Sequence, residues 1–187
     1  AHTPKSIIEV GPGRLALTSG ILKFVKEAEP ELPVIIVERD RNLEKGLRDG
    51  LAFYGGNHEL HFMDAATDKF GDLILDLEAR LLTPALFVSN LPYSAASQII
   101  AQLCHRAKLL TQAVIMVQKE MAQRMIAQEK TKDRGSFSLL TQSYFNVKSL
   151  FDVGPGAFSP PPKVMSTVLC LSQHEKPVTE NIKNPKD

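Results

Sequence analysis

The chain has 187 residues, of which 43% are hydrophobic and 23% charged, and its formal net charge is +1. This composition suits one globular domain with a real core, and any nucleic-acid partner would have to be held by a local basic patch. The two cysteines, Cys104 and Cys170, lie on separate helical and strand patterns, which favours a reducing, cytoplasmic setting over a disulfide framework. From the sequence we expect no signal peptide, no membrane span and no bound metal.

The first strand and the turn after it have the pattern of a cofactor site. The apolar run at 7–10 leads into Gly11 and Gly13, and apolar residues at helical spacing follow from Leu15. Glycines in a strand-to-helix turn let the backbone approach a ligand, and the helix start offers free N–H groups. The third glycine of the dinucleotide fingerprint is missing, which argues against a pyrophosphate cradle of the NAD type. Tight turns also use glycine for structural reasons alone, so this motif is weak by itself.

The next two predicted strands end in carboxylates. The strand at 34–37 is followed by Glu38 and Asp40, and the short strand after it by Asp64 and Ala65. An acidic residue at the end of the second strand is the usual partner of a ribose diol, so Glu38 is a candidate for that role; otherwise it starts the next helix. We interpret Asp40 as a helix cap. Asp64 could accept a hydrogen bond from an adenine amine, with the Ala65 N–H reaching a ring nitrogen, or it could cap the following helix.

The fourth strand leads to the turn with the most distinctive chemistry. An apolar run at 84–89 ends at Asn90, Leu91, Pro92 and Tyr93. In open α/β sheets, ligands bind beyond the carboxyl ends of the strands. An amide, two apolar residues and an aromatic ring could together hold a flat ligand such as a nucleobase, although Asn-x-Pro is also ordinary turn chemistry.

The remaining pattern predicts the fold class. Helices are predicted at 41–53, 70–82, 94–107, 119–128 and from 136, further strands at 111–118, 147–153 and 164–171, and a solvated basic loop at 130–135. The last two strands are joined by a loop with Phe158 and three consecutive prolines, so we expect them to form an antiparallel pair at one edge. Strands and helices alternate before that point. We therefore predict an α/β fold with a mostly parallel seven-stranded sheet and helices on both faces.

Taken together, these motifs resemble one family. The matching stretches are Glu-Val-Gly-Pro-Gly from Glu9, the acidic end of the second strand, Asp64, Asn-Leu-Pro-Tyr, and Phe-Ser-Pro-Pro-Pro-Lys-Val from Phe158. In order and spacing they are similar to the KsgA (RsmA) family of rRNA adenine dimethyltransferases. The resemblance implies a Rossmann-like class I methyltransferase fold that uses S-adenosylmethionine. It also implies dimethylation of N6 of two adjacent adenosines in 16S rRNA of the small (30S) ribosomal subunit during its biogenesis, with neither a metal nor a membrane partner.

Carried over residue by residue, the resemblance gives the cofactor site its members. The expected cofactor-binding residues are Glu9, Gly11, Gly13, Glu38, Asp64, Ala65 and Asn90. The two glycines would face the methionine end of the cofactor and Glu38 its ribose. Asp64 would bind the adenine amine, assisted by the Ala65 backbone.

The same resemblance implies how the target base is held. Asn90 would accept a hydrogen bond from the target N6 amine, helped by the Leu91 carbonyl, and Pro92 would fix the turn. Tyr93 would stack on the base and Phe158 would bracket it from the other side. We expect the protein to be a monomer.

The chain departs from the family pattern at three places. Leu15 stands where the family usually has glycine, so we expect a reshaped turn or a shifted helix there. The family's leading Asn-Phe-Leu-like segment and its C-terminal helical domain have no counterpart in the sequence. We therefore expect a methyltransferase domain at 1–172, a polar tail at 173–187, and weak cofactor binding and activity.

Two other functions remain open from the sequence. One is a non-catalytic rRNA-binding or ribosome-assembly factor with the same fold. The other is an erythromycin-resistance-type methyltransferase acting on 23S rRNA, a family that looks similar but usually has Ile where Leu91 stands.

Overall fold

A single sheet of seven strands organises the computed structural model, which describes residues 3–174. In chain order the strands are β1 (Ser6–Val10), β2 (Val34–Glu38), β3 (His58–Phe62), β4 (Ala85–Asn90), β5 (Leu110–Gln118), β6 (Phe145–Val153) and β7 (Ser166–Gln173). The strand order is β3-β2-β1-β4-β5-β7-β6, with β1 to β5 parallel and β7 antiparallel to both of its neighbours. The predicted mostly parallel sheet with an antiparallel edge pair is confirmed.

Six α-helices lie between these strands in the described part of the chain. They are α1 (Ala16–Ala28), α2 (Glu44–Tyr54), α3 (Asp68–Ala79), α4 (Ala96–His105), α5 (Lys119–Ile126) and α6 (Ser136–Tyr144). Helices α2 and α4 begin later than predicted, because a short turn comes first in each case. Before α2, the Asp40 side chain accepts a hydrogen bond from the Asn42 N–H at 2.9 Å and caps a single 3-10 turn, which confirms its predicted capping role. Before α4, the Ala95 N–H donates to the Pro92 carbonyl at 3.0 Å.

The two faces of the sheet carry separate cores, as expected for helices on both faces. One core lies between the sheet and α3 to α6, and its fully buried members include Phe70, Phe87, Ile99, Met125 and Leu169. The other lies between the sheet and α1 and α2, and its buried members include Ile7, Leu22, Ile36 and Leu47. Because β1 and β2 are buried on both sides, the loops that follow them are held at fixed positions along the same edge of the sheet.

Strand β7 begins and ends two residues later than predicted. It extends to Gln173, whose side-chain amide donates to the Leu110 carbonyl at 2.6 Å, so the first residue of the predicted polar tail belongs to the sheet. The rest of that predicted tail, from residue 175, lies outside the described residues. Within the described part of the chain, no helix has the length and hydropathy needed to cross a membrane. Residues 3–174 also contain no group of three or more His, Cys, Asp or Glu side chains arranged to hold a metal ion.

Candidate active site

A cavity of about 410 Å³ lies at the carboxyl ends of β1, β2, β3 and β4. All of the residues predicted for the site except Glu9 line it: Gly11, Gly13, Glu38, Asp64, Ala65, Asn90, Leu91, Pro92, Tyr93 and Phe158. Parallel strands bring their carboxyl ends to one edge, which explains why residues far apart in sequence meet here. The volume is within the usual range for small-molecule sites.

The turn after β1 needs the left-handed backbone at three positions. Gly11 has φ +72° and Gly13 has φ +54°, and a side chain at Gly11 would also contact Pro92 Cδ at 3.5 Å. Leu15 has φ 64°, a conformation that leucine disfavours, and it immediately precedes α1. The backbone therefore keeps a shape suited to glycine. The Leu15 side chain is buried over Gly50 of α2, where an added methyl group would overlap its Cδ1 atom.

The carboxylate of Glu38 is oriented by its own loop. Its Oε1 atom accepts hydrogen bonds from the N–H groups of Arg39 at 2.7 Å and Asp40 at 2.8 Å. The residue is 9% exposed and lines the cavity. With Oε1 held in this way, Oε2 remains to bind a ligand, which suits a carboxylate that recognises a diol.

The carboxylate of Asp64 also faces the cavity, but it is less enclosed. Its Oδ1 atom accepts from the Ala66 N–H at 2.9 Å, and its Oδ2 atom lies 3.6 Å from Nη1 of Arg39. Thr67, rather than Asp64, occupies the position before the first residue of α3. The alternative interpretation of Asp64 as the cap of that helix is therefore wrong, because its side chain closes a turn within its own loop.

The Asn-Leu-Pro-Tyr turn has a fixed backbone and an open amide. Asn90 ends β4 and is exposed, whereas Leu91 is 1% exposed and donates its N–H to the Met116 carbonyl at 3.1 Å. One residue earlier, the buried Ser89 hydroxyl donates to the Val10 carbonyl at 2.6 Å and ties β4 to β1. The Asn90 carboxamide is thus presented at the cavity from a backbone that is held by both neighbouring strands.

Two aromatic rings, those of Tyr93 and Phe158, line the cavity. Tyr93 follows Pro92 in the turn, and Phe158 lies on the loop between β6 and β7. The Tyr93 hydroxyl lies 2.6 Å from the Ser166 hydroxyl at the start of β7. Both rings are half-buried, so each still has ring surface available to a ligand.

Glu9 is the predicted site residue that the structure places elsewhere. It is 1% exposed and does not line the cavity; its side chain lies near Thr18 of α1, with Oε2 unpaired among the described residues. Burial raises the pKa of Glu9 to about 7, and the Thr18 hydroxyl opposes that rise. Because Glu9 is buried beside α1 and outside the cavity lining, a direct contact with a ligand would need a rearrangement.

The structure also shows site residues that the sequence analysis missed. Arg39 lines the cavity, and its Nη1 atom lies 3.6 Å from Oδ2 of Asp64. Met63 and Ile99 add apolar lining, and Ser166, which lies outside the lining, contacts the Tyr93 hydroxyl. Arg39 lies between two residues that were singled out, so its position was a usable signal. Nothing in the sequence marks Ser166, because it meets Tyr93 only through strand pairing. In the predicted basic loop, Arg134 donates to the Ala127 carbonyl at 3.0 Å and to Gln142 Oε1 at 2.9 Å, which makes it a structural residue.

The fold and the position of the cavity define a class. This sheet order, with helices on both faces and the cavity at the strand ends, is the fold of the class I S-adenosylmethionine-dependent methyltransferases. A dimethyladenosine transferase from Plasmodium falciparum is similar at 25% identity and a TM-score of 0.74, over 94% of this chain and 58% of that one. The 23S rRNA methyltransferase ErmE is similar in fold, at 24% identity and a TM-score of 0.67, over 94% of this chain and 64% of that one.

Sequence comparisons narrow the class to a family. The family model described as ribosomal RNA adenine dimethylase matches residues 3–185, and the chain belongs to that family. The ribosomal RNA small subunit methyltransferase A of Rhodospirillum rubrum is 35% identical over 92% of this chain and 56% of its own length. Its counterpart in Pseudomonas syringae pv. tomato is 37% identical over 90% of this chain and 59% of its own length. The chain thus spans somewhat more than half the length of these curated relatives.

Proposed function

We propose that this chain carries the methyl-transfer site of an enzyme that dimethylates N6 of two adjacent adenosines in 16S rRNA. The observation that carries the proposal is the composition of the one cavity described above. The Glu38 and Asp64 carboxylates line this cavity together with the Asn90 amide and the Tyr93 and Phe158 rings. A nucleoside cofactor and a target base would therefore meet within a single site.

The cofactor end fits S-adenosylmethionine. Glu38, already oriented by two backbone N–H groups, would bind the ribose hydroxyls, and Asp64 with the Ala65 backbone would bind the adenine edge. Gly11 and Gly13 would let the backbone approach the methionine end. When bound, the cofactor supplies an electrophilic methyl group on its sulfonium.

The base end fits an exocyclic amine. An adenine amino group is a poor nucleophile because its lone pair is delocalised into the ring. Hydrogen bonds from its two protons to the Asn90 side-chain oxygen and the Leu91 carbonyl would favour a more tetrahedral nitrogen, whose lone pair can point at the methyl group. Positioning of the amine against the methyl group then supplies most of the rate enhancement, and no strong base is required. Tyr93 and Phe158 would hold the base after it leaves its RNA stack.

The small-subunit substrate is supported by the names of the relatives. Both curated relatives described above are named as small-subunit rRNA methyltransferases. The likeness to ErmE, at 24% identity, supports the fold alone. We therefore favour 16S rRNA in the 30S subunit over the alternative of 23S rRNA.

A labelled-methyl transfer assay on isolated, unmethylated subunits tests the proposal. Label should enter the small subunit, and Asn90→Ala should lower the rate by about 100-fold or more while cofactor affinity and the folding transition stay unchanged. Asn146→Ala, at an exposed position of β6, is the matched control and should be fully active.

Each rival function gives a different result in the same assay. Label that enters only large subunits would assign the 23S alternative. Binding to small subunits without any transfer would assign the non-catalytic assembly factor. Full activity of Asn90→Ala would remove the catalytic role of the Asn-Leu-Pro-Tyr turn.

A further inference from the structure

We propose that Ser166 is a positioning residue that fixes the orientation of the Tyr93 ring. The inference rests on the proposed function, in which that ring stacks on the target base. The two hydroxyl oxygens lie 2.6 Å apart, within the range of a good O–H···O hydrogen bond. Ser166 is completely buried, whereas Tyr93 is half-buried, so the bond joins the tip of an accessible ring to a fixed point inside the sheet.

The anchor is rigid because Ser166 is paired on both sides. It is the first residue of β7, opposite Gln118 of β5 and Val153 of β6. A tyrosine on a turn has two side-chain torsions free to vary, and a bond at the far end of the ring restricts both. The Tyr93 ring would therefore already have its binding orientation, and less side-chain conformational entropy would be lost when a base binds.

The start of β7 also fixes the end of the loop that carries Phe158. The loop 154–165 bears Phe158 and ends at Met165, whose carbonyl accepts a hydrogen bond from the Lys119 N–H at 2.9 Å. Ser166 follows directly. Two consecutive residues where β7 begins thus hold the Tyr93 hydroxyl and the end of the loop that bears Phe158.

Substitutions at this pair separate positioning from packing. Ser166→Ala should lower the single-turnover rate of methyl transfer by about tenfold with unchanged affinity for S-adenosylmethionine. Tyr93→Phe should cause a similar loss, and the double variant should be no worse than either single variant, because both remove one bond. Ser166→Thr keeps the hydroxyl and should restore most of the rate. Ser172→Ala, on the same strand, is the matched control.

A second measurement reads the contact without any methyl transfer. The chain has three tyrosines and no tryptophan, so labelling with 3-fluorotyrosine gives three ¹⁹F signals, of which Tyr93→Phe identifies one. Ser166→Ala should shift or broaden that signal alone, and Ser172→Ala should leave it unchanged.

The two measurements fail in distinguishable ways. An unchanged Tyr93 signal in Ser166→Ala would overturn the contact itself, whatever the activity. A changed signal with an undiminished transfer rate, or equal losses in Ser166→Ala and Ser166→Thr, would overturn the positioning role. Absence of transfer by the unsubstituted protein would instead overturn the proposed function, and with it the purpose assigned to the contact.

Discussion

At the scale of single residues, Leu15 and Gly50 form a complementary pair. Leu15 has an unfavourable left-handed backbone conformation, and its buried side chain occupies the space that a side chain at position 50 would need. Burial of a leucine is worth about 2 kcal/mol, enough to offset the backbone strain of about 1–2 kcal/mol. Instead of the expected reshaped turn or shifted helix, the structure shows strain in this one residue, with α1 starting directly after it.

This pairing predicts a background-dependent effect of Gly50→Ala. In the unsubstituted chain the added methyl group should lower the free energy of unfolding by about 1–3 kcal/mol, because it overlaps Leu15. In a Leu15→Ala background the same change should raise it by up to about 1 kcal/mol, since alanine is the better helix former. Urea unfolding measures both values.

Gly46→Ala, on the same helix, is the control for the comparison of Gly50→Ala in the two backgrounds. An added methyl group there meets nothing within 4 Å, so the substitution should stabilise both backgrounds equally. Equal effects of Gly50→Ala in the two backgrounds would contradict the pairing.

Glu9 makes stability depend on pH. Burial raises the pKa of its carboxyl from 4.5 to about 7, so the folded chain binds this proton more tightly than the unfolded chain does. Unfolding then releases a proton between these values, and the free energy of unfolding should fall as the pH rises through that window. Between pH 4.5 and pH 8 this fall should amount to about 3 kcal/mol. Glutamine cannot ionise, so the free energy of unfolding of Glu9→Gln should lack this part of the pH dependence. Urea unfolding at several pH values would show parallel curves if Glu9 does not cause the dependence.

At the scale of elements, one side chain joins α5, the loop after it and α6. The Gln142 amide donates to the carbonyls of Met125 at 2.8 Å and Ala127 at 3.0 Å, and its oxygen accepts from Arg134. Ser138 donates to the Arg124 carbonyl at 2.5 Å, one turn earlier in α6. The carbonyls at the end of α5, which have no partner within their own helix, are satisfied in this way.

Gln142→Ala should therefore lower the free energy of unfolding by about 1–3 kcal/mol, because it leaves the Met125 carbonyl without its partner. The Ala127 carbonyl and the Arg134 guanidinium each lose one hydrogen bond but keep the one that joins them. Gln123→Ala, at an exposed position of α5, should change it by less than about 0.5 kcal/mol. Hydrogen exchange should show the loss of protection concentrated in α5 and α6. Similar effects of the two substitutions would show that the network contributes little.

Strands were easier to predict than the contacts between them. Apolar runs such as 34–37 and 84–89 stop where polar residues begin, so both the strands and the edge carrying Glu38 and Asp64 could be located from sequence. The starts of α2 and α4 could not, because local turns around Asp40 and Pro92 delay them. Pairs such as Tyr93 with Ser166 depend on the register of β7, which no local pattern encodes.

At the scale of the whole molecule, the two faces of the sheet are covered unequally. The core beneath α3 to α6 includes buried residues from β1, β2, β4, β5, β6 and β7, whereas the core beneath α1 and α2 takes its buried strand residues from β1 and β2. Leu86 and Val88 of β4 lie at the margin of the second core. Large apolar side chains remain exposed elsewhere, among them Phe24 of α1 and Phe151 of β6, each 60% exposed.

Substitution of these exposed rings should change solution behaviour more than stability. Phe24→Ser and Phe151→Thr should alter the free energy of unfolding by less than about 1 kcal/mol and reduce association at high concentration. Phe87→Ala, at a completely buried position, is the contrasting change and should destabilise by about 3–5 kcal/mol. Concentration series in size-exclusion chromatography and urea unfolding measure the two effects, and unchanged association would contradict the first.

The insertion of β7 between β5 and β6 has a consequence for how the chain is made. During synthesis β6 emerges first, yet the only strand it pairs with within residues 3–174 is β7, which follows 13 residues later in sequence. A nascent chain that stops before Ser166 therefore holds β6 without a partner and Tyr93 without its anchor. The parallel part of the sheet can assemble early, but the aromatic pair Tyr93 and Phe158 is the last part of the cavity lining to be completed, so nearly all of residues 3–174 must be translated before that lining is whole.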